Sequence, residues 1–93
     1  RLAVRPLLVP RIEGAVSQLA LYLINLPTAT DEQLTWARAA LRNTASMADQ
    51  VSRFVLGEAD FIEHGSGISD AALASATETA INNHFIAPAP EAE

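Results

Sequence analysis

Asp60, Glu63 and His64 stand at i, i+3 and i+4, a spacing that brings two carboxylates and an imidazole to one side of a helical turn. Oxygen and nitrogen donors set this way suit a divalent cation. No second His stands at ligand spacing to complete the set, so no metal ligand is assigned. The other histidine, His84, falls on the same helical stripe as Ile81 and Phe85 and reads as a core or interface residue. "GSG" at 65–67 is too short to cradle a phosphate, and it stands directly before Ile68 and Ser69, where a turn and a helix cap account for it. Ser66 has no sequence context for activation as a nucleophile. The chain has no Cys, so thiolate chemistry and disulfides are both excluded. The sequence therefore predicts no catalytic residue, no cofactor, no metal and no small-molecule substrate. A metal-dependent or hydrolytic enzyme built on Asp60, Glu63 and His64 is the weakest of the readings open to it.

Contact residues are the better-supported candidates. Trp36 is the sole Trp, and on a helix it lies about 160° from Leu34, away from the stripe that Leu34, Ala37 and Leu41 define. Two readings stand open: an indole lying over the edge of a bundle, or an interface anchor of the kind Trp and Arg supply in protein contacts. Arg38 and Arg42, one turn apart, read either as a solvated face or as partners for acids on a neighbouring subunit.

The elements that hold these residues are helical. Arg11 to Leu26 fits a first helix, with Pro10 before it, Pro27 stopping it, and Ile12, Ala15, Val16, Leu19, Leu23 and Leu26 forming a stripe. In "QLALYLINL" (18–26) seven of nine residues are apolar, and Leu21, Tyr22 and Ile24 fall outside that stripe. Something other than this helix's own core must cover Leu21 and Ile24, either the N-terminal segment or a neighbouring subunit. Thr30 opens a second helix as part of a capping box with Gln33, with Asp31 and Glu32 at its positive end and Arg38 and Arg42 toward its negative end; it should fray near Asn43. A third helix follows, capped by Thr44 or Ser46 and closed by Gly57, with Met47, Val51, Phe54 and Val55 inward. Phe61 and Ile62 sit in a further short turn ended by Gly65 and Gly67. Ser69 caps a last helix, with Ile68 able to staple onto Leu73, and Leu73, Ala76, Thr77, Ala80, Ile81, His84 and Phe85 form its stripe.

The ends differ from this body. Pro6 and Pro10 predict an extended N-terminal arm over residues 1–10, whose Leu2, Val4, Leu7 and Leu8 would lie against a neighbour or the chain's own core. Pro88 and Pro90 with two acids predict a disordered acidic tail over 88–93. The predicted fold class is all-α: one domain over 11–87, a small bundle of three to four main helices, with the arm and the tail outside it.

Charge and hydropathy narrow the partners. The first eleven residues carry +3 from Arg1, Arg5 and Arg11, and residues 12–93 carry −8. An acidic body lacks the clustered basic face that phosphate contacts need, so no nucleic acid is expected. The apolar run from Ala15 to Leu26 is twelve residues long and holds Ser17, Gln18 and Asn25, against the roughly 20 residues of a membrane span, so no membrane is expected either. It also does not read as a signal peptide, since Pro27-Thr28-Ala29 follows it and little chain remains to export. A small chain without disulfides gains stability by associating, and 49% hydrophobic residues push the same way.

"LTWARAAL", the Met- and Ala-containing helix after it and "ISDAALASATETAIN" together resemble small Ala-rich helical virion structural proteins of tailed bacteriophages, over roughly residues 34–84. The resemblance implies a non-enzymatic particle component at the capsid, neck or tail, whose partners are copies of itself and other virion proteins and which is assembled in the host cytoplasm. It carries no catalytic residues. The interface residues expected on this reading are Leu2, Val4, Leu7, Leu8, Leu21, Tyr22, Ile24, Trp36, Arg38 and Arg42. The alternative is a helical interaction module, such as an antitoxin, inhibitor or assembly chaperone, that binds one partner protein.

Overall fold

The structure, a computed structural model, describes residues 4–55 and 67–86, with side chains from Leu8 onward. Those residues form α1 (Val4–Ile24), α2 (Asp31–Arg42), α3 (Thr44–Val55) and α4 (Asp70–His84), and no strand occurs among them. The fold is all-α, as the periodicity predicts. Helix α1 packs against each of the other three; α3 touches α1, α2 and α4, while α2 and α4 scarcely meet. Helices α1 and α3 thus form the spine, with α2 on one side and α4 on the other.

The longest helix departs from expectation. Residues 4–10, expected as an extended arm, are helical and continue into α1. Pro6 lies in the first turn, where its missing N–H has no intrahelical acceptor to lose. Pro10 lies inside the helix on its exposed side, and an interior proline costs about 3 kcal/mol. What opposes that cost is Leu8. It is fully buried and extends the stripe of Ile12, Val16, Ala20 and Leu23 one turn back through the prolines. Complete burial of a Leu contributes about 1.5–3 kcal/mol, similar in size to the proline penalty. At its other end α1 stops at Ile24, where the Asn25 side-chain amide donates to the Leu21 carbonyl (2.8 Å) and its backbone N–H to the carbonyls of Leu21 and Tyr22.

Helix α2 begins with the expected capping box. The Gln33 N–H donates to Thr30 Oγ1 (3.0 Å), and the Thr30 N–H donates to Gln33 Oε1 (2.8 Å). Asn43 alone separates α2 from α3 and serves both. Its N–H donates to the Ala39 carbonyl, and its Oδ1 accepts from the Ser46 N–H (3.1 Å). The N-cap of α3 is therefore Asn43 rather than Thr44 or Ser46; the Thr44 hydroxyl instead donates back to the Ala40 carbonyl. Helix α4 starts at the expected cap, Ser69, whose Oγ accepts from the Ala72 N–H (3.1 Å).

The core is one cluster drawn from all four helices, and small residues hold much of it: Ala20, Ala37, Ala40, Ala48 and Ala80 are buried beside Ile12, Val16, Val51, Leu73 and Ile81. Two hydroxyls share this interior and are satisfied within their own helices. Ser52 donates to the Asp49 carbonyl (2.7 Å) and Thr77 to the Leu73 carbonyl (2.8 Å). The closing Gly57, the short turn with Phe61 and Ile62, the Asp60, Glu63, His64 set with Gly65 and Ser66, and the acidic tail all lie outside the described residues.

Candidate interaction surface

The residues expected to make contacts divide by burial. Leu21, Tyr22 and Ile24, on the last turn of α1, are 50%, 61% and 38% exposed. They alternate with the last core residues of that helix, Ala20 and Leu23, and the helical repeat turns them outward, with Leu21 nearly opposite the core stripe. No N-terminal segment among the described residues covers them, because residues 8–10 belong to α1 itself and cannot fold back over it.

Leu8 and Trp36 are corrections. Leu8 is wholly inside the molecule and unavailable to a neighbour. Trp36 is only 5% exposed and joins the core with Ala37 and Ala40, so it neither lies over the bundle edge nor anchors an interface from the surface. The inner face of α2 is turned toward Trp36, and Leu41, expected inward, is 38% exposed while Leu34 is half-buried. One indole removes more apolar area from water than an edge leucine does, and the Ala residues beside it let the helix settle with Trp36 inward. Among the described residues its buried Nε1 donor finds no acceptor. Leu2 lies outside the described residues, as do the side chains of Val4 and Leu7. Arg38 and Arg42 are exposed on the outer side of α2.

Sequence reasoning missed two features. Arg11, counted only as part of the basic N-terminal segment, ties α1 to the start of α4. Its guanidinium donates to the Asp70 carboxylate at 2.8 and 3.2 Å and to the Ile68 carbonyl at 2.7 Å. The contact spans 59 positions in sequence, so no local pattern could have signalled it. Below it runs a shallow groove between α1 and α4, lined by Gly14, Ala15, Gln18, Tyr22, Ala74 and Glu78. The second feature is an aromatic cluster at the far end of α4. The His84 ring stacks on Phe54 (centroids 3.9 Å apart, 16° between planes), and Phe85 meets Phe54 edge-on at 5.6 Å. His84 is exposed rather than in the core, and Phe54, expected inward, is 44% exposed.

Among the described residues no three His, Asp or Glu side chains come together to hold a metal ion. No helix among them is long and apolar enough to cross a membrane. Compared with protein-family models, curated proteins and solved structures, the chain matches none.

Proposed function

We propose that this chain is a non-enzymatic helical subunit that acts through protein–protein contacts made by the last turn of α1. The observation that carries the reading is the exposure of Leu21, Tyr22 and Ile24 around buried Leu23, beside a core that closes without them. Scattered single apolar residues on a surface need no explanation, whereas Leu21 and Ile24, three residues apart, adjoin on the helix surface and favour a contact. Tyr22 adds an amphipathic ring at the rim of the α1–α4 groove, the type of side chain that interfaces use most. The finer reading draws on the sequence resemblance: a structural component of a tailed-bacteriophage particle, at the capsid, neck or tail, in contact with its own copies or with other virion proteins.

The test pairs a surface variant with an assembly readout. The chain is expressed together with the genes that flank it in its genome, and particles are sedimented. The wild-type protein is expected in the particle fraction. Leu21→Asp/Ile24→Asp is expected in the supernatant, with thermal stability changed by no more than about 0.5 kcal/mol per site. Wild-type protein that stays wholly in the supernatant overturns the particle reading, and a variant that sediments like wild type overturns the role of α1. A fixed one-to-one complex with a single flanking gene product would favour the interaction-module alternative.

A further inference from the structure

We propose that a second copy of this chain docks antiparallel along the exposed face of α1, about a two-fold axis at the level of Gln18. In that pairing Leu21 of each copy lies on Gly14 of the other, and Tyr22 on Ala15. Gly14, Gln18 and Leu21, with Asn25 just beyond the helix, recur at i, i+4, i+7 and i+11, so they form one stripe, and all four are exposed. The stripe lies on the far side of α1 from the buried Ile12, Val16 and Leu23. Ala15 and Tyr22 run beside it on the side of α4, lining the α1–α4 groove.

Gly14 has no use within the described fold. A Cβ built on it would meet nothing within 4 Å, and its backbone is helical, with no positive φ. Glycine weakens a helix more than any residue except proline, so neither packing nor turn geometry explains one in the middle of α1. What a bare backbone does there is let a large group come close from outside. Two turns further along the same stripe the surface rises instead, with Leu21 50% and Tyr22 61% exposed. One half of the face is hollow and the other half is raised.

Such a face fits its own reverse. A parallel pairing would set Leu21 on Leu21 and leave Gly14 against Gly14, whereas the antiparallel one sets large on small at both ends, as a two-fold interface requires. At the axis stands Gln18, whose amide both donates and accepts and so can pair with its own copy. The stripe from Gly14 to Asn25 carries no charge, and the charges lie at the ends of the groove. Helices α1 and α4 run in the same direction along it, with Arg11 and Asp70 at one end and Tyr22 and Glu78 at the other. Reversal therefore brings Glu78 of each copy toward the Arg11–Asp70 pair of the other, and each arginine comes to stand between two carboxylates. The paired length from Arg11 to Asn25 is about 22 Å, so the contact falls at the small end of specific interfaces and the dimer is concentration-dependent.

Sedimentation velocity on the full chain across a range of concentration provides the test. Wild type is expected to pass from monomer to dimer as concentration rises. Gly14→Leu sets leucine on leucine across the contact and is expected to stay monomeric, while melting no lower than wild type because leucine favours the helix and meets open space. Leu21→Ala leaves both hollows empty and is expected to weaken dimerisation by about tenfold. Mixed in equal amounts, the two variants are expected to dimerise close to wild-type strength, because in the heterodimer each contact again sets one large side chain on one small residue. A wild-type chain that is monomeric throughout, a Gly14→Leu chain that dimerises like wild type, or a mixture no stronger than its parts overturns the proposal. Should Gly14→Leu fail to fold by circular dichroism, Gln18→Glu replaces it. That variant sets two carboxylates against each other at the axis and is expected to be monomeric, and a dimer as strong as wild type overturns the proposal.

The inference rests on the reading of the last turn of α1 as a contact surface and names its partner, yet the two fail separately. A chain that is monomeric at every concentration but still sediments with particles through Leu21 and Ile24 removes the self-pairing alone. A chain that pairs as described but stays wholly out of the particle fraction removes the particle reading alone.

Discussion

Two side chains show how individual residues hold this fold. Arg11 reaches both the Asp70 carboxylate and the Ile68 carbonyl, whereas Asp70 has only Arg11 among the described hydrogen bonds of its side chain. Arg11→Ala is therefore expected to cost more stability than Asp70→Asn. A double-mutant cycle followed by urea denaturation should return a coupling of about 0.2–1 kcal/mol, the range for exposed pairs, since the Asp70 side chain is almost fully in water. Trp36 poses the opposite case, a side chain that packs well but whose N–H finds no acceptor among the described residues. Trp36→Ala is expected to cost about 3–5 kcal/mol. Trp36→Phe is expected to cost far less, because losing part of the ring is offset by removing a buried donor whose desolvation carries a penalty of about 1–3 kcal/mol. Chemical denaturation of the three proteins would check the order, and a Phe variant as damaged as the Ala variant would show that the N–H carries no penalty.

At the scale of elements, caps decide where helices begin and end, and two of the four helix starts were legible. The Thr30–Gln33 box and the Ser69 cap are local patterns, so the sequence alone placed the starts of α2 and α4. The start of α3 was harder to read because Asn43, Thr44 and Ser46 are all capping types, and only the geometry shows Asn43 bonding Ser46. Asn43→Ala is expected to cost about 1 kcal/mol, as other cap removals do, and Ser46→Ala at most a few tenths, both measurable by thermal melts. The start of α1 was misread because Pro6 and Pro10 are strong local signals, while the benefit that overrides them, burial of Leu8 against the rest of the bundle, is non-local. Leu8→Ala is accordingly expected to cost about 2–5 kcal/mol, a loss that an exposed arm would not show. The facing of α2 was misjudged for a related reason. Periodicity gives a stripe but not its rotation, and Trp36 fixes that rotation only once Ala37 and Ala40 are seen beside it.

For the molecule as a whole, one core ties four helices together, so unfolding should be a single cooperative event. Ile81→Ala in α4 is expected to lower the midpoint followed by the lone Trp36 in α2 and the midpoint followed by helical circular dichroism to the same extent. Separate midpoints would show that α4 melts away from the α1–α3 spine. The candidate surfaces were partly legible at this scale. The run at 19–26 announced more apolar residues than one helix face can bury, and Leu21, Tyr22 and Ile24 are the excess. The α1–α4 groove and the Phe54–His84 stack were not legible, because each joins segments distant in sequence.

The placement of α1 at the centre of the bundle also bears on how the chain is made. Among the described residues, each helix that packs on α1 follows it in the sequence, and the last of them ends at His84, about 60 residues after Ile24. At roughly 5–20 residues per second, translation leaves the apolar stripe of α1 incompletely covered for about 3–12 s after it is synthesised. The nascent protein thus carries a greasy segment awaiting its full cover, which makes α1 a segment exposed to capture by chaperones or by another nascent chain on the same messenger.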